Sequence, residues 1–567
     1  MATSDDNLQP KFMYEPVIPD IRQWPIYELS RDNKHFIQQY VAQSKAQIIQ
    51  RTKTIDALED TIAKAVYLED RRIKESPWKI DPPDEKAFWK QIKKNLLNYS
   101  QNKANLQAAE NDIYNDLDNI VNRYAQEIVG HFEIPYYRFA AKFLPIFFNR
   151  LLNAAGQRNW QRLFGKNLLI TENILLRGHL AEIRNLCTKG TVIVVPTHHS
   201  NLDSILVGWA IHCLGLPALL YGAGLNLFNS KPVAHFMNRL GAYKIDRRKK
   251  NTIYLETLKM YSRLTLQQGA HSLFFPGGTR SRSGQLETQL KLGLLGTAFD
   301  AQRLNFMNPQ PHHPQKIFVV PLVISYHFVL EAATLIHQHL KSVGKEHYYI
   351  DKYYFPNISY GLKFFWKLFS QQSKVWLSFG KPMDLFGHDL DPEGNSLDAE
   401  GKIIDISRYY ESKGSIVQDV QRDNEYTRLL SQHILARFYS ENIVLSSHLV
   451  AFAAFEILRK KHRTLDFYGL LHLPEEDRII PYSYFAKVIE RLLAQITVLH
   501  ENGKMKMSES ILQSPEEVIK DGIKHVGMYH DKKVLRKTSE GDITSDDMNL
   551  LLFYHNRLEG YKLEEIV

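Results

Sequence analysis

Short runs of β-branched and aromatic residues alternate with helical stretches between about residues 131 and 390. The runs are Thr191–Val195, Ala218–Tyr221, Tyr243–Ile245, Ser272–Phe275, Ile317–Ile324 and Val375–Phe379. The helical stretches between them include Ile253–Leu266 and Leu290–Ala301. Strands that alternate with helices at this spacing predict an α/β domain around a largely parallel sheet. In such sheets the chemistry gathers at the strand ends and in the loops that follow them.

The N-terminal region, residues 1–130, has a different pattern. From about residue 33 onwards, apolar residues recur at helical spacing within an otherwise polar sequence. This pattern predicts a helical hairpin or a short coiled coil, with its turn near Pro77 and Pro82-Pro83. A scaffold or dimerisation arm suits such a region better than a catalytic role.

C-terminal to the α/β domain, which is assigned to residues 131–390, the pattern changes twice. Residues 391–425 are polar and contain several glycines, which predicts a linker or long loop. Residues 426–567 are predicted to form a helical C-terminal region that includes a helix over Ile443–Leu458.

Length and composition bound what the chain can do. A chain of 567 residues suggests two or three domains, and its net charge of +9 favours an acidic partner such as an anionic membrane surface or a phosphate-bearing substrate. Nucleic acid is not expected, because the sequence has no zinc-ligand spacing, RNP-like motif or long Lys/Arg run. The two cysteines, Cys187 and Cys213, exclude a disulfide framework and fit a reducing compartment. No signal peptide is visible at the N-terminus.

One apolar run is long enough to cross a bilayer. From Ser204 to Ser230 there is no Asp, Glu, Lys or Arg. Several glycines and Pro217 interrupt the run, however, and continuous apolar runs are also typical of buried parallel strands and their helices. We therefore expect a buried helix, a turn at Gly215-Leu216-Pro217 and a strand rather than a membrane span.

The first of four motifs is a His198-x4-Asp203 pair at the point where a strand meets a helix. A carboxylate in the first turn of the helix can reach back to one imidazole nitrogen, fix the tautomer and leave the other nitrogen free as a general base. Ser200 or Asn201 is expected to cap this helix. The simpler alternative is a capping aspartate beside a surface histidine. His199 is a second candidate base, although its side chain is expected to point away.

The second motif delivers two arginines, Arg247 and Arg248, at the end of a strand that begins near Gly241. Paired guanidinium groups at a strand end suit a bidentate grip on phosphate. The alternative interpretation is a solvated basic turn that continues into Lys249-Lys250.

The third motif is an apolar strand that leads into a tight glycine turn with hydroxyls and arginines. Its residues after the strand are Gly277, Gly278, Thr279, Arg280, Ser281 and Arg282, with Lys291 at the head of the next helix. Backbone N–H groups and guanidinium forks in such a loop form an anion cradle, and the N–H groups around Gly278 are candidates to stabilise an oxyanion. The loop lacks the Gly-Lys-Ser/Thr ending of a Walker motif. The fourth motif, around Pro321, is by itself only a buried strand.

In this order the four motifs resemble the glycerolipid acyltransferase family, which acylates glycerol-3-phosphate, dihydroxyacetone phosphate or lysophosphatidic acid. The resemblance covers roughly residues 185 to 385, and its most specific part is Phe275 through Ser281. A later segment, Asn442–Ala451, looks like the C-terminal region of the large glycerol-3-phosphate and dihydroxyacetone phosphate acyltransferases. One departure is plain: the family has a glutamate in the third motif where this chain has Gly277.

The resemblance implies an α/β acyltransferase domain that transfers an acyl group from an acyl-CoA or acyl carrier protein thioester to the sn-1 hydroxyl of glycerol-3-phosphate. His198 is then the general base and Asp203 orients it. The residues expected to bind substrate are Arg247, Gly278, Thr279, Arg280, Ser281, Arg282, Lys291 and Pro321. No cofactor, metal or acyl-enzyme is expected. Open alternatives are acylation of dihydroxyacetone phosphate or a lysophospholipid, and a non-catalytic lipid-binding or scaffold protein.

A lipid product implies a membrane surface. Phe139–Leu152 and Tyr353–Phe369 combine aromatic and apolar residues with Lys or Arg, as an interfacial patch requires. Ordinary packing against the core is the alternative for both segments. We expect peripheral or monotopic attachment at the cytoplasmic face of a membrane, and of a bacterial inner membrane in particular.

Overall fold

A seven-stranded sheet forms the centre of the computed structural model, which describes residues 13–78, 80–101, 106–143, 174–228, 231–309, 315–342 and 374–567. Its strands are β1 (Ile174–Gly178), β2 (Thr191–Pro196), β3 (Leu220–Gly224), β4 (Ala242–Ile245), β5 (Ser272–Leu273), β6 (Ile317–Tyr326) and β7 (Val375–Phe379). The strand order is β1-β7-β6-β2-β5-β3-β4, and only the β6–β7 pair is antiparallel. The predicted α/β domain with a largely parallel sheet is confirmed. Strand β1 was not predicted, because it is a five-residue edge strand that ends in Arg177-Gly178.

Helices cover the sheet and form the flanking regions. In the N-terminal region and the α/β domain they are α1 (Pro25–Arg31), α2 (Asn33–Thr52), α3 (Ile55–Glu75), α4 (Glu85–Gln101), α5 (Leu106–Ile128), α6 (134–143), α7 (Leu180–Leu186), α8 (Asp203–Cys213), α9 (Lys231–Asn238), α10 (Thr252–Gln267), α11 (Leu292–Met307) and α12 (Ala332–Ser342). The helices predicted near residues 253–266 and 290–301 are therefore confirmed as α10 and α11.

The N-terminal helices pack on the α/β domain and share one hydrophobic core with α10. Buried hydrogen bonds cross the contact: Tyr40 donates to the carbonyl of Thr257 (2.8 Å), and Asn251 at the start of α10 donates to Glu69 and Tyr124 (2.8 Å each). The turn predicted near Pro77 lies between α3 and α4. The described part of the region thus forms five packed helices rather than the hairpin or short coiled coil that was predicted, because aromatic residues on its apolar faces bury against the domain.

Short elements occupy the segment for which a linker or long loop was predicted. They are β8 (Asp389–Leu390), β9 (Ser396–Leu397), β10 (Ile403–Ile404), β11 (Glu411–Ser412) and β12 (Ser415–Ile416), paired antiparallel, with a 3₁₀ helix at Ile406–Tyr410. Ile406 and Tyr410 are buried in the core beneath α11. The segment is therefore folded against the domain, since its few apolar residues anchor otherwise polar hairpins.

The C-terminal region is mainly helical. Its elements are α13 (Val420–Glu441), β13 (Ile443–Val444), α14 (Ser446–Lys461), α15 (Phe467–Leu471), α16 (Tyr482–Glu501), β14 (Lys506–Met507), α17 (Pro515–His525), β15 (Arg536–Lys537), β16 (Ile543–Thr544) and α18 (Met548–His555). The helix predicted from Ile443 begins at Ser446, because Ile443 and Val444 pair with β14 as a strand. Helix α14 is buried along most of its length and shares the main core with the sheet.

The long apolar run folds as predicted, into α8, a turn with Gly215 at φ +65° and strand β3. Among the described residues no helix combines the length and apolar character needed to span a bilayer. Of the two segments proposed for membrane contact, residues 144–152 and all of 353–369 lie outside the described residues. In α6, Phe139 and Phe143 are exposed and their rings stack at 5.2 Å.

Candidate active site

His198 and Asp203 form a hydrogen-bonded pair at the carboxyl end of β2. The Nδ1 atom of His198 lies 2.9 Å from Asp203 Oδ2. The same oxygen accepts the backbone N–H groups of His199 (2.7 Å) and Ser200 (2.9 Å). Asp203 is the first residue of α8, and no side chain caps this helix. The predicted capping by Ser200 or Asn201 is therefore wrong, because the Asp203 carboxylate itself folds back over the loop.

The second oxygen of Asp203 is held by Tyr326, the last residue of β6. The Tyr326 hydroxyl donates to Asp203 Oδ1 in a short hydrogen bond, and both side chains are buried. Burial and the nearby Asp203 charge raise the pKa of Tyr326 well above its ordinary value, so its hydroxyl stays protonated and remains a donor. Asp203 thus has its position and orientation fixed by four hydrogen bonds.

The backbone of His198 is held by the loop of the third motif. Its N–H donates to Glu287 Oε1 (2.8 Å), and its carbonyl accepts the N–H of Ser281 (2.7 Å). The ring stacks on Phe275, with centroids 4.1 Å apart. The side chain is 16% exposed, and its Nε2 makes no hydrogen bond within the described part of the chain. One imidazole nitrogen is therefore oriented by Asp203 while the other is free to take a proton.

His199 faces away from this pair, as predicted. It is buried, and its Nε2 makes a short hydrogen bond with Arg557 from the C-terminal region. Burial, followed by the positive charge of Arg557, lowers the pKa of His199 well below its ordinary value. Arg557 also donates to the carbonyl of Ile324 (2.9 Å) and to Asn442 (2.9 Å). Arg557 thus connects the C-terminal region to β6 and to the loop after β2 that carries the dyad.

Two predicted phosphate ligands, Arg280 and Arg247, lie near each other, and Arg280 directly precedes Ser281, whose N–H binds the carbonyl of His198. Arg280 Nη1 lies 3.0 Å from Glu331, whose carboxylate also accepts the N–H of Asn201 (3.1 Å) and the hydroxyl of Ser200 (3.0 Å). Arg247 is exposed and has no carboxylate partner among the described residues. Partial burial, and then the positive charge of Arg280, lower the pKa of Arg247. Two neighbouring guanidinium groups, only one of which is paired with a carboxylate, favour an anionic ligand.

Two other groups predicted to bind an anion are arranged differently from expectation. Arg248 of the second motif is not available to phosphate, because it pairs with Asp246 (2.8 Å) and Asp81 and packs over Trp78. The N–H of Gly278 donates to the carbonyl of Phe275 (3.0 Å) to close the glycine turn, so it is not free for an oxyanion.

Thr279, Arg282 and Lys291 are exposed around this turn. Gly278 has φ +75°, and the Lys291 side chain lies across it, with its Cγ 2.9 Å from where a Cβ on Gly278 would be. Only glycine adopts this conformation without strain. The hydroxyl of Thr279 and the two cations therefore surround the turn, and neither cation has a carboxylate partner in the described part of the chain.

Pro321 lies inside the sheet rather than at its edge. It is buried in β6 opposite Val195 of β2, and its carbonyl accepts the N–H of Gly380 (2.8 Å). These contacts give Pro321 a role in holding β6 beside the strand that carries the dyad. Its contact with substrate stays a prediction.

One cluster of possible metal ligands lies within the described residues: His327, Asp521 and His525. His327 hydrogen-bonds the hydroxyl of Ser447 (3.0 Å), and Asp521 accepts the hydroxyl of Ser446 (2.5 Å). His525 Nδ1 lies 2.9 Å from Asp521. The cluster joins the end of β6 to α17 and is distinct from the dyad.

Sequence reasoning missed four residues that hold the site together: Tyr326, Glu331, Glu287 and Arg557. Tyr326 ends the fourth motif, and its place after an apolar strand was a usable signal for a strand-end hydroxyl. The other three come from separate elements and reach the dyad only in the folded chain, so spacing along the sequence does not reveal them.

Residues 179–325 match the protein-family model described as Acyltransferase. The glycerol-3-phosphate acyltransferase of Pseudomonas aeruginosa is 24% identical over 269 residues, which is 47% of this chain and 28% of that protein. That of Alteromonas mediterranea is 30% identical over 192 residues, 33% of this chain and 22% of that protein. That of Histophilus somni is 28% identical over 221 residues, 39% of this chain and 24% of that protein. The matched stretch thus spans about a quarter of the length of these curated relatives.

The crystal structure of the 1-acyl-sn-glycerophosphate acyltransferase PlsC from Thermotoga maritima covers 52% of this chain and 92% of its own, with 17% identity and a TM-score of 0.23. That superposition is too loose to bear on the fold. The family match contains all four motifs, from His198 to Pro321. The chain therefore contains an acyltransferase domain, and the resemblance to the glycerolipid acyltransferases is confirmed.

Proposed function

We propose that this protein transfers a fatty acyl group from an acyl thioester to the sn-1 hydroxyl of glycerol-3-phosphate, which gives lysophosphatidic acid. The observation that carries the proposal is the His198–Asp203 pair. Its carboxylate is fixed by four donors, His198 Nε2 makes no hydrogen bond among the described residues, and the loop that binds the His198 backbone carries Arg280. A base next to an anion site suits an acceptor that carries both a hydroxyl and a phosphate.

In the proposed reaction His198 Nε2 takes the proton of the acceptor hydroxyl as its oxygen attacks the thioester carbonyl carbon. Asp203 accepts the Nδ1–H of the imidazolium that forms and stabilises its charge. The tetrahedral intermediate then collapses, the carbon–sulfur bond breaks and the thiolate takes the proton back from His198. The acyl group passes directly to the acceptor, so no covalent enzyme intermediate, metal or cofactor takes part.

Arg280 and Arg247 are proposed to bind the acceptor phosphate, with Arg282 and Lys291 at the outer edge of the same site. Arg247, Arg282 and Lys291 are exposed and have no carboxylate partner among the described residues, so their charge is available to a ligand, whereas Arg280 is held in place by Glu331. The protein is proposed to work as a peripheral or monotopic protein at the cytoplasmic face of a membrane, such as a bacterial inner membrane. The net charge of +9 and the exposed Phe139–Phe143 pair support such a surface.

The test offers the purified protein radiolabelled palmitoyl-CoA or palmitoyl-acyl carrier protein with a panel of acceptors. The acceptors are glycerol-3-phosphate, dihydroxyacetone phosphate, lysophosphatidic acid and glycerol. We expect product with glycerol-3-phosphate and none with glycerol, which lacks the phosphate. Product with dihydroxyacetone phosphate or lysophosphatidic acid alone would reassign the acceptor. Turnover of none of them would overturn the proposed activity.

A further inference from the structure

Glu287 fills the space beside Gly277, the position at which this chain departs from the family it resembles. A Cβ built on Gly277 would lie 3.1 Å from Glu287 Cγ and 3.4 Å from Glu287 Oε1. A side chain at residue 277 therefore requires Glu287 to shift by a few tenths of an ångström, so the two side chains compete for this space. We propose that Glu287 supplies, from ten residues further along the loop, the carboxylate that residue 277 lacks, and that it positions His198 for catalysis.

The hydrogen bonds of Glu287 connect it directly to the dyad. Its Oε1 accepts the N–H of His198 at 2.8 Å, and the residue is only 9% exposed. Its Oε2 is buried and has no hydrogen-bond partner within the described part of the chain. Burial raises the pKa of this carboxyl to about 7, against the opposing effect of the His198 N–H. A half-satisfied buried carboxyl is costly, and such groups persist where a functional site requires them.

Glu287 acts on His198 through the backbone. The third-motif loop holds the histidine at two points, the N–H through Glu287 and the carbonyl through the N–H of Ser281. Asp203 then fixes the ring at Nδ1. Loss of the Glu287 contact leaves the His198 backbone without its N–H acceptor, and a displacement of about 1 Å in a catalytic group lowers turnover on the order of 100-fold.

The effect of introducing a glutamate at residue 277 distinguishes this proposal from the alternative that the chain has lost the family's carboxylate without replacing it. If Gly277 is only a missing carboxylate, Gly277→Glu restores the family pattern and raises activity. If Glu287 has taken its place, Gly277→Glu alone crowds two carboxyl groups into one buried space, which disfavours their ionisation and the packing. The combination of Gly277→Glu with Glu287→Ala then recovers what each single substitution loses.

The experiment rests on the proposed function and uses the full chain with glycerol-3-phosphate as acceptor. We expect Glu287→Ala to lower kcat on the order of 100-fold, with the acceptor KM changed less than about 3-fold, because the phosphate site is untouched. Glu287→Gln keeps an oxygen acceptor for the His198 N–H and is expected to retain most of kcat. Gly277→Glu is expected to lower both kcat and Tm, and Gly277→Glu with Glu287→Ala to recover both. The control is Gly208→Glu on the exposed face of α8, where a Cβ meets nothing within 4 Å.

Two results would overturn the proposal: a Gly277→Glu protein at least as active as the wild type, or a double variant no better than its single parents. The thermal measurement keeps this test separate from that of the proposed function. If the wild type acylates no acceptor, the Tm penalty of Gly277→Glu and its relief by Glu287→Ala still decide whether the two side chains share one space.

Discussion

The two sides of the candidate site are built differently. On the dyad side, Asp203 is buried and His198 is half-buried. Within the described residues, the carboxylate of Asp203, the backbone N–H and carbonyl of His198 and His198 Nδ1 all form hydrogen bonds, and His198 Nε2 forms none. On the phosphate side, Arg280 pairs with Glu331 (3.0 Å), whereas Arg247, Arg282 and Lys291 are exposed and have no ion pair among the described residues. The dyad side is preorganised before substrate arrives, whereas most cations of the phosphate side stay exposed to solvent until an anion binds.

This difference predicts how substitutions divide between kinetic constants. A preorganised group stabilises the transition state and its loss lowers kcat, whereas an adaptable cation binds substrate and transition state alike and its loss raises KM. Substitutions on the dyad side should therefore act on kcat and those on the phosphate side on KM.

The largest effect is expected for His198→Ala. Loss of a general base lowers kcat about 1,000-fold, with the acceptor KM nearly unchanged. The matched control is His388→Ala, because His388 also contacts an aspartate, Asp384, at 2.9 Å but lies away from the dyad. Steady-state kinetics of both variants check the prediction. A His198→Ala protein that keeps more than about a tenth of wild-type kcat would exclude it as the base.

Arg280→Ala comes next, on the phosphate side. Loss of a charge-assisted contact with phosphate raises the glycerol-3-phosphate KM about 10- to 100-fold, with a smaller effect on kcat. Arg248→Ala is the control: this arginine pairs with Asp246 and Asp81, so its loss should lower Tm and leave KM unchanged. If both variants raise KM equally, the assignment of Arg280 to the phosphate is wrong.

Tyr326→Phe tests the support of the dyad. The substitution removes the hydroxyl that donates to Asp203 Oδ1 and leaves a buried charged oxygen short of one donor. A hydrogen bond to a charged group is worth roughly 1.5–3 kcal/mol, so kcat should fall by up to about 10- to 100-fold and the free energy of unfolding should drop by a similar energy. Unchanged kcat with reduced stability would show that Asp203 stays in place without this hydroxyl.

The fold and the dyad could be predicted from the sequence, whereas the residues that support the dyad could not. The α/β domain, six of its seven sheet strands and the dyad follow from local patterns, because alternating strands and a helix-start carboxylate are encoded within a few neighbouring residues. The supports of the dyad, Glu287, Glu331 and Arg557, are not encoded locally. The last lies 359 residues after His198 along the chain, and only folding brings it into contact with His199. For Arg248 a local pattern was misleading. Its place at a strand end suggested phosphate binding, but in the folded chain it pairs with Asp81 of the N-terminal region.

The smallest effect is a pH-dependent change in stability from Glu287→Gln. Burial raises the pKa of this carboxyl from 4.5 to about 7, so between these values the folded protein binds a proton that the unfolded chain releases. The free energy of unfolding therefore falls as pH rises from about 4.5 to 7 and then levels, by at most about 3 kcal/mol. Glutamine does not titrate in this range. The Tm of the variant minus that of the wild type should therefore increase by a few degrees between pH 5 and pH 8.

Thermal unfolding across that pH range, with the exposed neighbour Thr288→Ala as control, measures this effect. Parallel Tm curves for Glu287→Gln and the wild type would mean that the carboxyl titrates alike in the folded and unfolded chain. A gain confined to Glu287→Gln at high pH would sharpen the contrast between the two sides of the site. The dyad side then keeps its fixed geometry at a cost in stability near neutral pH, a cost that the hydrated cations of the phosphate side do not impose.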